Sequence, residues 1–301
     1  MTGGSSGFGR HAAAHLLRDH PDQHVLLTAR GDYGPHLAAE LTAQTGNPNV
    51  STVQCDLSSL SDIRKAAAEI TRRLGTGDLP PLRGFLGNAG VQVPSTTRAT
   101  ADGFEMNFGV NLLANYLMVR LLLDRFAAPS RLILTGSGSH FADFRHTLGV
   151  VPPIKWSDTK TIATPGSGPK ASSAREGQRA YATSKLAVIY LVHALARRLP
   201  TGIDAYTYNP GAVSNTGLDR NASPAIRFIA GVLVNALRVT PFASDAETAG
   251  RLLATVAAGP RPGDSGSYID QGKIIPSSLA SYDKDREEEL WTTAARLTGL
   301  D

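Results

Sequence analysis

Two rhythms of apolar residues alternate along this chain. Short runs rich in β-branched and aromatic residues, HVLLTAR (24–30), VSTVQCDL (50–57), LRGFLGNAG (82–90), RLILTGS (131–137), IDAYTYNPG (203–211) and GSYID (266–270), have the length and composition of strands. Between them, HAAAHLLRD (11–19), PHLAAELTAQT (35–45), LSDIRKAAAEITRRL (60–74), FEMNFGVNLLANYLMVRLLLDRF (104–126), QRAYATSKLAVIYLVHALARRL (178–199) and SDAETAGRLLATVAA (244–258) repeat their apolar positions at helical spacing. Strand and helix in alternation predict an α/β fold: a doubly wound parallel sheet covered by helices on both faces. No internal repeat interrupts the pattern, and residues 1–301 read as a single domain. One stretch breaks the rhythm. Residues 141–178 form an insertion whose most irregular part, 148–178, is rich in Pro, Gly, Ser and Thr, and it reads as a solvated loop or a substrate lid.

Composition narrows the function classes. Hydrophobic residues at 42% and charged residues at 19% are ordinary for a soluble globular domain. The formal charge of +4 comes without any basic run interleaved with aromatics, which argues against nucleic-acid binding. A single cysteine, Cys55, allows no internal disulfide, so a reducing, cytoplasmic setting is expected and Cys55 itself reads as a small buried side chain. No signal-peptide pattern opens the chain. The most apolar stretch, Ala225 to Val239, is too short to cross a bilayer and contains Arg227 and Arg238, so no membrane span is expected.

The opening MTGGSSGFGR carries the first chemical signal. Gly3, Gly7 and Gly9 allow a tight turn and close backbone approach, and the helix that follows turns its free N–H groups and positive dipole end toward that turn, a geometry suited to a pyrophosphate. The next strand ends in Arg30 where an acid would bind the ribose hydroxyls of NAD; an arginine pairs instead with a 2′-phosphate, so NADP(H) is expected. The strand that ordinarily precedes such a turn is missing, with Met1 at the position of its last residue. Two explanations stand: a natural chain that begins further upstream, or a degraded, non-catalytic protein. Its absence should leave unpaired edges on both neighbouring strands. His11 and His15 stand at i,i+4, but nothing nearby completes a metal site; they read as a surface pair and no metal is expected. Asp283, Asp285 and Glu287 to Glu289 read as the acidic first turn of a helix.

Three further motifs go beyond a generic nucleotide fold. GNAGV holds Asn88, Ala89 and Gly90 after one strand, LTGSGSH holds Ser137 after the next, and YATSK sets Tyr181 and Lys185 four residues apart on one helix face. In this order, between TGGSSGFG and NPGAV, the chain resembles the short-chain dehydrogenase/reductase family along nearly its whole length. DGFEMNFGVNLLANYLMVRLLL, PGAVSNTGL and the ending ELWTTAARLTGL are most similar to its retinol-dehydrogenase and protochlorophyllide-reductase branch. The resemblance implies a Rossmann-like sheet, a nicotinamide cofactor, and a catalytic set of Asn111, Ser137, Tyr181 and Lys185, with Ser139 as the alternative serine. It implies a phosphate turn of Gly3, Ser5, Ser6, Gly7, Phe8 and Gly9, with Arg30 at the adenosine phosphate. Asp56 and Leu57 would border the adenine, and Asn88, Ala89 and Gly90 would flank its ribose. Pro210, Gly211, Val213 and Thr216 would lie by the nicotinamide, with Asn215 where the family's threonine usually stands. Ala212 replaces the cysteine that follows Pro-Gly in the protochlorophyllide enzyme, which counts against that activity.

The implied function is an NADPH-dependent oxidoreductase, a ketoreductase or alcohol dehydrogenase moving hydride between the nicotinamide and a ketone, aldehyde or secondary alcohol. Tyr181 would donate the proton, Lys185 would lower the phenol from its ordinary pKa of about 10 and hold the nicotinamide ribose, Ser137 would bind the substrate oxygen, and Asn111 would anchor a proton-relaying water. The family places its substrate-covering helices where this chain runs 214–241. Ile229, Val232, Leu233 and Leu237 recur there at helical spacing, which points to a bulky hydrophobic substrate bordered by this segment and by the insertion. A monomer or homodimer fits, and a non-catalytic, redox-sensing nucleotide-binding protein is the alternative reading.

Overall fold

In the computed structural model the described residues are 1–147, 149–168, 170–213 and 243–300. Nine strands are described: β1 (Val25–Ala29), β2 (Val50–Gln54), β3 (Leu82–Gly87), β4 (Phe126–Thr135), β5 (Ile203–Asn209), β6 (Ala212–Val213), β7 (Ala243–Ser244), β8 (Tyr268–Asp270) and β9 (Lys273–Ile275). The helices are α1 (Gly7–Asp19), α2 (Tyr33–Thr45), α3 (Leu60–Thr76), α4 (Met106–Phe108), α5 (Ala114–Leu122), α6 (Phe144–Thr147), α7 (Thr159–Ile162), α8 (Ala174–Arg198), α9 (Ala246–Ala258) and α10 (Lys284–Thr298). A π-helical turn over Gly109–Leu113 joins α4 to α5.

The helix boundaries follow from local chemistry. Ser59, Ser173, Asp245 and Asp283 each accept a backbone N–H in the first turn of α3, α8, α9 and α10. Left-handed Gly77 and Gly299 end α3 and α10. The acidic run 283–289 thus opens a helix as its sequence predicts. Glu287 goes further: it is buried against His193 and Arg197 of α8.

The sheet is parallel except at its far edge, where β9, which sequence reasoning missed, turns back antiparallel on β8. Five strands run in the order β3-β4-β5-β8-β9, while β1 and β2 form a separate parallel pair. Among the described residues, Met1 and Thr2 bridge the two parts. The Met1 amino group donates to the Leu26 carbonyl at 2.7 Å, the Thr28 N–H to the Met1 carbonyl at 3.0 Å, and the Thr2 N–H to the Leu86 carbonyl at 2.9 Å. Behind these two residues no strand pairs with both β1 and β3 among the described residues.

Helices cover both faces. Phe8 to Leu17 of α1, Leu37 and Leu41 of α2, and Ala249 to Val256 of α9 build one apolar layer. Ile63 and Ile70 of α3, Leu112 to Leu122, Leu186 to Leu195 of α8, and Leu290 of α10 build the other. Met106–Arg125 is long and apolar enough to cross a membrane, but 78% of its most apolar window is packed inside the fold. Cys55 is buried, and burial pushes its thiol up to about 12. His15 is buried too, its Nδ1 at 3.3 Å from Asp19, which corrects the reading of His11 and His15 as a surface pair.

Candidate active site

Doubly wound sheets bind ligands beyond the carboxyl ends of their strands, at the point where strand order reverses. Here that point is the Met1–Thr2 bridge, and a cavity of about 490 Å3 opens there. The glycine turn forms one wall. Gly3 and Gly7 have φ of 68° and 56°, a region that favours glycine. A Cβ on Gly9 would stand 2.2 Å from the Gly3 carbonyl oxygen and 2.3 Å from Asn88 Nδ2, so only glycine lets the turn close on α1. No side chain caps the N-terminus of α1 and no acid lies in its first turn, which leaves its dipole end facing the cavity for an anion. Ser5, Ser6, Phe8 and the exposed Arg30 line the same wall.

The Asn-Ala-Gly loop is fastened to this turn. Asn88 Nδ2 donates to the Gly3 carbonyl at 3.0 Å, and the Ala89 N–H donates to Thr2 Oγ1 at 3.0 Å. Asp56 and Leu57 line the cavity, and the Asp56 carboxylate also accepts from Ser58 N–H and Oγ at 2.9 and 2.8 Å. Pro210, Gly211 and Val213 line the opposite rim; Thr216, Asn215 and the segment 214–241 lie outside the described residues.

Ser137, Tyr181 and Lys185 converge where β4 ends and α8 passes over it. Helical spacing puts Lys185 Nζ 5.7 Å from the centre of the Tyr181 ring. Lys185 Nζ donates to the Thr135 carbonyl at 2.8 Å, at the end of the strand that delivers Ser137. Burial without an acid beside it brings the Lys185 ammonium down from 10.5 to about 8. Ser137 Oγ accepts the Ser139 N–H at 3.2 Å and lines the cavity, whereas the Ser139 hydroxyl is buried with no hydrogen bond among the described residues. Of the two serines in GSGS, Ser137 is the one that lines the cavity.

Asn111 stands behind the lining. It sits in the π-helical turn, buried, and does not line the cavity. Its Oδ1 accepts the Val91 N–H at 2.8 Å, its Nδ2 donates to the Val91 carbonyl and to Ser184 Oγ, and its carbonyl accepts from Asn115. This side chain tethers the Gly90–Val91 loop to α8. Of the two readings of the insertion 141–178, the lid finds no support among its described residues, none of which lines the cavity; α7 is held instead against α10 by Glu289, which accepts from Thr159. Sequence reasoning missed Thr28, Ser58, Gln92, Arg98, Met106 and Thr135 in the lining. It also missed His140, whose Nε2 accepts the Ser278 N–H, so that its Nδ1 carries the proton donated to the Ser137 carbonyl at 2.7 Å. Burial lowers His140 to about 4, which keeps it neutral in this strut. Neither Arg98 nor His140 lies at a position that the quoted motifs mark.

The profile of the short chain dehydrogenase family matches residues 1–147. All of this chain aligns with 83% of mouse (Mus musculus) retinol dehydrogenase 13 at 30% identity over 305 residues. All of it also aligns with 80% of the chloroplastic protochlorophyllide reductase A of Oryza sativa subsp. japonica at 30% identity over 319 residues. In three dimensions it is similar to a short chain dehydrogenase from Burkholderia cenocepacia J2315 solved in complex with NADP. That likeness has a TM-score of 0.63 and 21% identity, covering 89% of this chain and 93% of that one. The chain belongs to the short chain dehydrogenase family of oxidoreductases, with that family's Rossmann-like fold.

Proposed function

We propose that this protein is an NADPH-dependent carbonyl reductase or alcohol dehydrogenase for a bulky, hydrophobic ketone, aldehyde or secondary alcohol. One observation carries the reading: a single cavity is lined at one end by the glycine turn and Arg30 and at the other by Ser137, Tyr181 and Lys185. The close-packed glycines and the uncapped α1 fit a pyrophosphate, and Arg30 fits a 2′-phosphate. The cofactor, when bound, supplies or takes up the hydride. In reduction the Tyr181 hydroxyl gives its proton to the substrate oxygen, Ser137 Oγ donates a hydrogen bond to that oxygen, and the Lys185 ammonium offsets the charge left on the phenol. Asn111, Asn88 and His140 position these groups.

The hydrophobic substrate class is supported by the apolar sequence Ala225–Val239, which follows closely on the cavity-lining Val213. It is also supported by the 30% identity to retinol dehydrogenase 13. The test measures kcat/KM with NADPH and NADH over carbonyl compounds graded by size and polarity. Higher values with NADPH and with bulky apolar compounds are expected. Arg30→Ala should weaken NADPH binding by about tenfold or more and NADH binding little, because a charge-assisted contact is lost. Equal use of both cofactors, or faster reduction of small polar ketones, overturns the corresponding part.

The pH profile follows from Lys185. Its ammonium is required for reduction and is lowered to about 8. Below that pH it is charged and the rate is full; above it Nζ loses its proton and the support for the phenolate. The kcat/KM for carbonyl reduction is therefore expected to fall as pH rises through about 8. A profile that stays flat to pH 10 contradicts this role.

A further inference from the structure

Asn209 closes β5 and Asp270 closes β8, and the two residues are partners in the parallel ladder. Asn209 Nδ2 donates to Asp270 Oδ1 at 2.7 Å. A carboxylate only accepts, so the NH2 end of the Asn209 amide must face Asp270, which leaves the oxygen end for another donor. That donor is the Gly211 N–H, at 3.2 Å from Asn209 Oδ1. The bond closes a turn of Asn209, Pro210 and Gly211, all three of which line the cavity. Ser244 Oγ braces the same turn by donating to the Pro210 carbonyl at 2.8 Å. The turn stands beside the loop that carries Ser137. The Gly136 N–H donates to the Tyr208 carbonyl at 2.8 Å, and a Cβ on Gly138 would meet Asn209 Nδ2 at 3.8 Å.

Asp270 is itself fixed in place. It pairs with Lys273 across Gln271 and Gly272, whose φ of 47° and 85° suit the tight hairpin between β8 and β9. The Gln271 N–H donates to the Asn209 carbonyl at 2.9 Å. The Gln271 side chain packs on Gly211, where a Cβ would stand 2.8 Å from its Cδ. Asp270 is half-buried and does not line the cavity. Burial raises its carboxyl above the ordinary value, against the hydrogen bonds from Asn209 and Gln271. We propose that Asp270 is a positioning residue for hydride transfer. It fixes the Asn209 amide and, through it, the Asn-Pro-Gly wall that the nicotinamide meets at the Ser137 end of the cavity. The inference rests on the nicotinamide reading of that cavity. Reacting groups tolerate little displacement: a misplacement of about 1 Å costs on the order of a hundredfold in rate.

The test has two parts, both on the full chain. The first needs no turnover: hydrogen exchange of the Gly211 amide without cofactor, and the emission of bound NADPH. Asp270→Ala should speed that exchange by about tenfold or more and shift the emission. The second part reads the first-order rate constant of a single turnover at saturating NADPH, which does not depend on the folded fraction. Asp270→Ala should slow it by about ten- to a hundredfold while NADPH affinity changes by about threefold at most, since the phosphates bind at the other end. Asp270→Asn can turn its oxygen to the same Asn209 Nδ2, and should return both exchange and rate to within about threefold of the parent. The double variant Asn209→Ala/Asp270→Ala should be no slower than Asn209→Ala alone, because the two side chains act as one unit. Four results each overturn the proposal: Gly211 exchange unchanged in Asp270→Ala, Asp270→Asn as slow as Asp270→Ala, losses that add in the double variant, or a loss of NADPH affinity as large as the loss of rate. A parent protein that reduces no carbonyl compound would instead defeat the assigned reaction, and the Gly211 exchange and NADPH emission would still decide the role of Asp270.

Discussion

Tyr181→Phe is expected to lower turnover by about a thousandfold while leaving NADPH affinity close to that of the parent, within the range that positioned proton donors contribute. The substitution removes one oxygen from a side chain that is 8% exposed, so the ring keeps its packing and the α8 helix its place. In the proposed reaction the lost atom is the proton source for carbonyl reduction. Ser137 remains to bind the substrate oxygen, but a serine hydroxyl gives up a proton far less readily than a phenol. Lys185 also remains, its Nζ still held by the Thr135 carbonyl, so contacts to the cofactor should persist. Lys185→Met should therefore differ from Tyr181→Phe by weakening cofactor binding as well as turnover. The measurements are single-turnover rates with a saturating carbonyl compound and NADPH affinity by fluorescence. If Tyr181→Phe keeps a tenth or more of the parent rate, the tyrosine is not the proton donor.

Much of this site was legible in the sequence because its chemistry depends on short-range spacing. The offset of Tyr181 and Lys185 is one helical turn, and the turn of Gly3, Gly7 and Gly9 is local backbone geometry. The strand and helix runs were legible for the same reason, since a two-residue or 3.6-residue period survives without tertiary information. What failed depended on distant partners. The insertion looked like a lid because Pro and Gly mark a loop but not where it docks; Glu289, more than a hundred residues away, decides that α7 packs on α10. Asn111 could be located but not its bonds, since Val91 and Ser184 come from two other segments. His140 was invisible for a similar reason, because its strut needs the Ser278 N–H.

Gly9→Val is expected to lower NADPH affinity by at least about a hundredfold, equivalent to about 2.8 kcal/mol, without unfolding the chain. Gly9 lies in the first turn of α1, where the helix approaches the Gly3 backbone more closely than any Cβ permits. Nearest to a new Cβ are the Gly3 carbonyl oxygen at 2.2 Å, which is backbone, and Asn88 Nδ2 at 2.3 Å, a side-chain end held by its hydrogen bond to that carbonyl. One of the two must move. If Gly3 moves, the turn opens and α1 loses its aim at the phosphates; if Asn88 moves, its bond to the Gly3 carbonyl breaks and the Asn-Ala-Gly loop is released. Either route disorganises the anion site. The cost to stability should stay near that of an overpacked core position, about 1–3 kcal/mol, because the sheet and both helical layers are otherwise untouched. Gly75→Ala supplies the contrast. It is exposed in α3, a Cβ there meets nothing within 4 Å, and it should raise stability by up to about 1 kcal/mol with no change in cofactor affinity. Both variants are compared by NADPH titration and by denaturant unfolding. Parent-like NADPH affinity in a folded Gly9→Val protein would mean that the glycine turn does not hold the phosphates, and the cofactor would have to be placed elsewhere in the cavity.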